Sequence, residues 1–377
     1  MKNNLLTFVA AAFATLCFVN CSQDPEAPKT LKEAYKDAFH IGAALNNRQV
    51  DGRDTLALPV LEKHFNSITA ENMMKWGPIH PEPERYNFEP TDLLMDLGEK
   101  LDAFVIGHTL VWHNQTPNWV FEDSLGNLLE KYELINRMEK HIETVVGRYK
   151  GRVHGWDVVN EAIMDNGEYR KSKWYNATGL DFIKRAFVKA NEIDPNTELY
   201  YNDYNMWKPA KRNRAIELAK ELKAEGIRID GIGMQGHYGL ESPTLDQIEA
   251  SIVAIADAGF KVMFTELDID VLPNPVNRFG ADIDSTFVFE EKYNPYKDGL
   301  PEDVQDKLAK RYGELFGLFY KHKDHITRVT FWGIHDGGSW LNNWPMRGRT
   351  AYPFPFNRGY EEKEDVIQAI IDARKSN

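Results

Sequence analysis

The sequence predicts a (β/α)8 TIM barrel, an α/β fold built as a single domain. Three observations predict it. Eight short apolar runs rich in strand formers recur along the chain with helix-period stretches between them. No Gly/Ser-rich or Pro-rich linker divides the body from about Lys29 onward. Each run ends in polar or charged residues, and the parallel strands of a barrel bring all such ends to one face. A doubly wound open sheet shares the alternation, but no GxGxxG-type phosphate loop follows the first run.

The N-terminus stands apart from the barrel. After Lys2 comes an apolar run, Leu5 to Val19, of signal-peptide core length and short of the roughly 20 residues of a membrane span. Both cysteines, Cys17 and Cys21, lie in or just after it, so the exported body has no thiol and no disulfide. Cys21 is followed by SQDPEAPKT, a polar stretch containing proline. This arrangement resembles a bacterial lipoprotein signal, with Cys21 the lipidated first residue. The expected organisation is a signal over 1–21, a tether and lead-in over 22–38 and the barrel over 39–377. The expected location is the outer membrane or cell surface, attached through lipid alone, with the periplasm or medium as the alternative.

The eight runs are FHIGAAL (39–45), FNSITA (65–70), AFVIGHTLVW (103–112), VHGWDVVN (153–160), ELYYND (198–203), IDGIGMQG (229–236), KVMFTELDI (261–269) and RVTFWGI (328–334). Between the sixth and seventh, Leu245, Ile248, Ile252 and Ile255 fall at three- and four-residue steps. Thr244 and Gln247 have capping-box spacing there, and Gly259 closes the helix. The longest insertion, from about Pro273 to Pro301, follows the seventh run and mixes Pro, Asn and aromatics without regular period. On a barrel it overhangs the active face.

Composition narrows the partners. A formal net charge of −12 disfavours nucleic acid, whose phosphates draw mainly on clustered Lys and Arg. Nine Trp and sixteen Tyr exceed what packing usually needs, and aromatic faces also stack on sugar rings.

The run ends supply the chemistry. In order they offer Asn46 and Asn47; Glu71, Asn72 and Lys75; His108, Trp112, His113 and Gln115; Asn160 and Glu161. The later runs offer Asn202, Asp203 and Tyr204; Gln235 and His237; Glu266 and Asp268; then Trp332, His335, Asp336 and Trp340. There is no GxSxG elbow to seat a serine nucleophile, and no HxH or HExxH spacing, so neither metal nor cofactor is expected. Two carboxylates remain, Glu161 and Glu266, across the mouth from one another. Such a pair is the equipment of glycoside hydrolysis, in which one carboxyl protonates the leaving oxygen while the other attacks or activates water. The apolar run before Glu161 desolvates it and holds its proton. His237 is a plausible neighbour that keeps Glu266 ionised.

Seven stretches in order, TAENMMKW, GHTLVWHNQTPNW, WDVVNEAI, YYNDYN, GMQGHY, FTELDI and FWGIHDGGSW, resemble the family 10 glycoside hydrolases, chiefly endo-1,4-β-xylanases, from about Phe39 to about Ala369. The resemblance implies that Glu161 is the acid/base and Glu266 the nucleophile of a retaining mechanism on xylan. It implies that Asn160 bonds the sugar 2-hydroxyl, that His237 and Asp268 orient the nucleophile, and that Gln235 contacts the same subsite. It implies that Glu71, Asn72 and Lys75 grip the two sugars on the non-reducing side of the cleaved bond, that His108, Trp112 and Gln115 line that pocket, and that Trp332 and Trp340 are the aromatic walls around the sugar that is attacked. Tyr204 is counted with the substrate-binding residues. Gly337 and Gly338 stand where family members often carry an aromatic or basic residue, which predicts a looser far wall. The expected protein is a monomer acting on xylan or xylo-oligosaccharides; the alternatives are another retaining β-glycanase of the same clan, acting on glucan or mixed-linkage glucan, and a non-catalytic glycan-binding lipoprotein.

Overall fold

A computed structural model describes residues 28–275 and 286–375. The apolar N-terminal run, Cys17 and Cys21 lie outside the described residues, as does the middle of the insertion after the seventh run. Nine strands are present among the described residues: β1 (His40–Leu45), β2 (Ser67–Ala70), β3 (Phe104–Trp112), β4 (Gly155–Asn160), β5 (Glu198–Asp203), β6 (Gly231–Met234), β7 (His237–Gly239), β8 (Lys261–Asp270) and β9 (Ile326–Phe331). Eight pair in parallel in the order β1-β2-β3-β4-β5-β6-β8-β9, and β9 returns to β1. The sheet is therefore a closed barrel with helices between its strands, as the alternation predicts.

Side chains sort to the two faces of this wall. Ile106 of β3, Tyr200 of β5 and Met263 of β8 meet across the barrel as a small inner cluster, apart from the main core. That main core packs the outward residues against the helices. Close packing there has no slack: a Cβ on Gly107 would lie 2.1 Å from the ring of Trp156 on the neighbouring strand. Adding such bulk to a filled core usually costs about 1–3 kcal/mol.

The helix Leu245–Asp257 forms as its sequence dictates. Thr244 and Gln247 make the reciprocal capping box, Ile248, Ile252 and Ile255 are buried, and Gly259 takes φ +81° just past the end. The last part of the lead-in belongs to the fold. Leu31 and Tyr35 are fully buried, and the Tyr35 hydroxyl donates to the Ile370 carbonyl at 2.6 Å, joining the chain's beginning to its final long helix, Glu364–Asp372. Among the described residues no helix is long and apolar enough to cross a membrane.

The sixth and eighth runs depart most from the sequence reading. The sixth run is split, because Gly236 adopts φ +89° and breaks the strand after Met234. The chain then resumes as β7, which pairs only with the outer half of β8 and sets His237 opposite Asp268. The eighth run begins two residues earlier than read and stops at Phe331, which leaves Trp332 beyond the strand.

Candidate active site

Strand register brings the polar ends to one level. Trp112 of β3 pairs with Asn160 of β4, which pairs with Asn202 of β5. Asp157 and Asn160, three apart, belong on opposite faces of a regular strand. A register shift between Asp157 and Val159 turns both inward. Asp157 thereby reaches His108, whose Nδ1 is 2.9 Å from its Oδ2.

A cavity of about 130 Å³ opens at this level. Its walls are Glu71, Asn72, Lys75, His108, Trp112, Gln115, Asn160, Glu161, Gln235, His237, Glu266, Trp332 and Trp340. Those are the expected site residues apart from Asp268 and Tyr204. Asp268 lies behind His237 and faces an adjoining cavity of about 930 Å³, which shares His237 and Trp340 with the first. Tyr204 is placed elsewhere: its hydroxyl accepts from Arg170 Nη2 at 2.8 Å, and Lys211 Nζ sits 3.4 Å above its ring.

The two glutamates meet different partners. Trp112 Nε1 donates to Glu161 Oε2 at 2.9 Å, while Gln235 Nε2 and Asn160 Nδ2 donate to Oε1 at 2.9 and 3.2 Å. Burial pushes the Glu161 carboxyl up to about 7, helped by the negative charges of Asp203 and Glu266 and opposed by the donors Gln235 and Trp112. Glu266 accepts from Asn202 Nδ2 at 2.8 Å, and its other oxygen lies 3.3 Å from His237 Nε2. Burial pushes this carboxyl up as well, but the His237 bond together with His108 and Lys75 outweighs it and holds Glu266 below the ordinary glutamate value.

His237 is held between two acids. Its Nδ1 is within ion-pair distance of Asp268 Oδ2, 3.0 Å, and that oxygen also accepts from Trp340 Nε1 at 2.7 Å. Burial pushes the imidazole down, yet Asp268 and Glu266 together carry it up to about 10. The ring therefore charges more readily than a free imidazole, and Nε2 is the nitrogen that bonds Glu266. Lys75 completes the positive side: it is buried, bonds Asn72 Oδ1 at 2.9 Å, and its Nζ lies 4.9 Å from the Trp112 ring centre.

Some of this was outside the sequence reading. Asn202 had no assigned role, yet its amide joins the two halves of the site, donating to Asn160 Oδ1 at 3.0 Å as well as to Glu266. Its own carbonyl oxygen is fixed by Thr265 Oγ1 at 2.6 Å. Trp112 and Gln235 prove to be direct partners of Glu161. Beside glycines 337 and 338 stands His335: a Cβ on either would meet its ring at 2.9 Å. Asp336 beside them is locked by Lys363 Nζ at 2.8 Å and the Phe354 N–H at 3.0 Å.

The described ends of the insertion line the larger cavity through Pro273, Asn274, Pro295 and Tyr296, opposite Trp340 and Trp344. Both ends are pinned to the segment after β9. Arg349 Nη1 donates to Asn274 Oδ1 at 2.9 Å, and the Thr350 N–H donates to Asn294 Oδ1 at 2.8 Å. The described ends of the insertion thus border the cleft.

A closed parallel barrel whose mouth holds two buried carboxylates, one held by neutral donors and one by an amide and a histidine, defines the class of carbohydrate-cleaving barrel hydrolases. The comparisons place the chain within that class. Residues 30–373 match the model of glycosyl hydrolase family 10, and the chain belongs to that family. It is 47% identical over 342 residues to endo-1,4-beta-xylanase A of Xylanibacter ruminicola, covering 91% of this chain and 92% of that protein. It is 43% identical over 343 residues to a beta-1,4-xylanase of Dictyoglomus thermophilum, covering 90% of each. Among solved structures, an endoxylanase retrieved from a sugarcane soil metagenome superposes with TM-score 0.87 at 44% identity, over 91% of this chain and 99% of that one. The xylanase XynB of Paenibacillus barcinonensis, complexed with a conduramine derivative, superposes with TM-score 0.81 at 39% identity, over 92% and 99%.

Proposed function

We propose that the protein is a retaining endo-1,4-β-xylanase. The observation that carries this reading is the unlike pair of glutamates facing one cavity, with Glu161 able to hold a proton near neutrality and Glu266 ionised beside His237 and Lys75. Glu266 attacks the anomeric carbon while Glu161 gives its proton to the departing oxygen, leaving a glycosyl-enzyme. Glu161, now a carboxylate, takes a proton from water, which attacks the same carbon and releases the sugar with its configuration kept.

Substrate class is supported by the relatives' names and by the narrowness of the inner cavity. Trp332 and Trp340 wall a space of about 130 Å³, and a hydroxymethyl group at C5 of a bound sugar would add to what that space must hold. Reducing-sugar release from xylan and from a mixed-linkage β-glucan by the purified protein tests this. Xylan hydrolysis in large excess is expected, and hydrolysis of glucan alone would sink the reading.

Export and attachment through a lipidated Cys21, and a monomeric body, belong to the same proposal. The export and the anchor are supported by the apolar run of signal-core length and the polar tether after Cys21. Growth of an expressing Gram-negative host on radiolabelled palmitate is expected to label the protein that begins at Cys21, and the Cys21→Ala protein is expected to stay unlabelled. An unlabelled wild-type protein would count against the anchor.

A further inference from the structure

Glu161 has φ +58°, a left-handed conformation that a non-glycine residue keeps only where its surroundings impose it. Three hydrogen bonds impose it here. Glu161 N donates to the Asn202 carbonyl at 2.9 Å, Arg170 Nε donates to the Glu161 carbonyl at 3.0 Å, and Ala162 N donates to the Tyr201 hydroxyl at 3.0 Å. Arg170 is returned to this place by a tight turn, in which its own N–H donates to the Ala162 carbonyl at 2.8 Å.

Behind these bonds stands a buried ion pair. The Tyr201 hydroxyl donates to Asp203 Oδ2 at 2.5 Å, which fixes its rotor so that a lone pair faces Ala162 N. Asp203 Oδ1 accepts from Tyr204 N at 2.9 Å and lies 2.7 Å from Lys211 Nζ. Both side chains are fully buried. Burial pushes the Asp203 carboxyl above its ordinary value against the pull of Lys211, Tyr201 and Arg170, and the groups bonded to its oxygens are all donors. A buried pair of this kind stabilises a fold poorly compared with apolar packing, so its presence beside the site asks for another role.

We propose that Asp203 is a positioning residue for the acid/base: through Tyr201, and alongside Arg170, it holds the Glu161 backbone in place, and its buried negative charge opposes ionisation of Glu161. This rests on the reading of Glu161 as the acid/base. The titratable groups that act on Glu161 are Lys75 after β2, Arg170 in its own loop, Asp203 and Tyr204 at the end of β5, and Glu266 on β8. Both carboxylates among them, Asp203 at the end of β5 and Glu266 on β8, push the Glu161 carboxyl up.

The test is the pH profile of kcat/KM on xylo-oligosaccharides for the full chain carrying Asp203→Asn, which keeps an acceptor for Tyr201 and deletes the charge. The alkaline limb is expected to move about one pH unit lower, a roughly tenfold loss of rate above it. A limb that stays in place in a folded Asp203→Asn protein overturns the proposal. Tyr201→Phe keeps the charge and breaks the relay to Ala162. It is expected to leave the limb where it is and to lower kcat about tenfold with KM nearly unchanged, and an unchanged kcat overturns the positioning role whether or not the first variant folds. Glu161→Ala measured alongside separates the two readings. If that variant keeps the wild-type alkaline limb, the assignment of Glu161 fails, whatever Asp203→Asn does.

Discussion

Glu266→Ala removes turnover of xylan, with an expected loss on the order of 10⁵-fold in kcat, the scale seen when a covalent nucleophile is deleted. The expectation follows from the position of the carboxylate. Glu266 is buried, and its two oxygens are oriented by Asn202 and His237, so no second group stands ready to attack in its place. The nearest carboxylate behind it, Asp268, is already committed to His237 and Trp340. Steady-state release of reducing sugar measures the loss. Addition of a small external nucleophile such as azide, which enters the vacated space and attacks from the same side, is expected to restore partial activity with a product of inverted configuration. A Glu266→Ala enzyme with near-wild-type activity would refute the site assignment.

Glu161→Ala is expected to depend on the leaving group. On xylan, whose departing sugar needs a proton, the loss is about 10²–10⁴-fold, the usual contribution of a general acid. On an aryl xyloside with an acidic phenol the first step proceeds almost unaided, and hydrolysis of the intermediate becomes limiting. The pH profile supplies a second reading of the same variant. Wild-type activity requires Glu266 ionised and Glu161 protonated, so it falls on the acid side below the ordinary glutamate value of 4.5 and on the alkaline side through about 7. The alkaline limb disappears in Glu161→Ala.

Stability follows the same titration. The folded protein holds the Glu161 proton up to about 7, whereas the unfolded chain releases it near 4.5. The folded state therefore binds more proton across that window, and this group's contribution to stability is lost as pH rises through it. Glu161→Gln removes the dependence. Its melting temperature is expected to exceed the wild-type value by an amount that grows between pH 4.5 and 7 and then levels, as followed by thermal denaturation at a series of pH values.

Much of the site was legible before any fold was known, and the reason is architectural. In a parallel barrel each strand must end on the same face, so polar residues after apolar runs converge without any need to know their pairing. Glu71, Lys75, Asn160, Glu161, Gln235, His237 and Glu266 all follow that rule and all reach the same cavity. Tyr204 shows where the rule stops. It also follows a strand, but the chain turns there, Asn205 taking φ +53°, and the Tyr204 hydroxyl bonds Arg170 outside the cavity wall.

The sequence by itself determined the alternation that makes a barrel, the capped helix after Thr244, the two carboxylates and the side of the fold on which they stand. Periodicity and local capping settle these, since each depends on neighbours a few positions away. Only the tertiary structure decided how the carboxylates are kept unlike. The register shift that turns both Asp157 and Asn160 inward, the break at Gly236 that sets His237 against Asp268, and the amide of Asn202 that spans from Asn160 to Glu266 join residues far apart in the chain. A slip of one residue in any strand would send these side chains to the opposite face, so the pairing of strands, which no single run encodes, sets the protonation of the site.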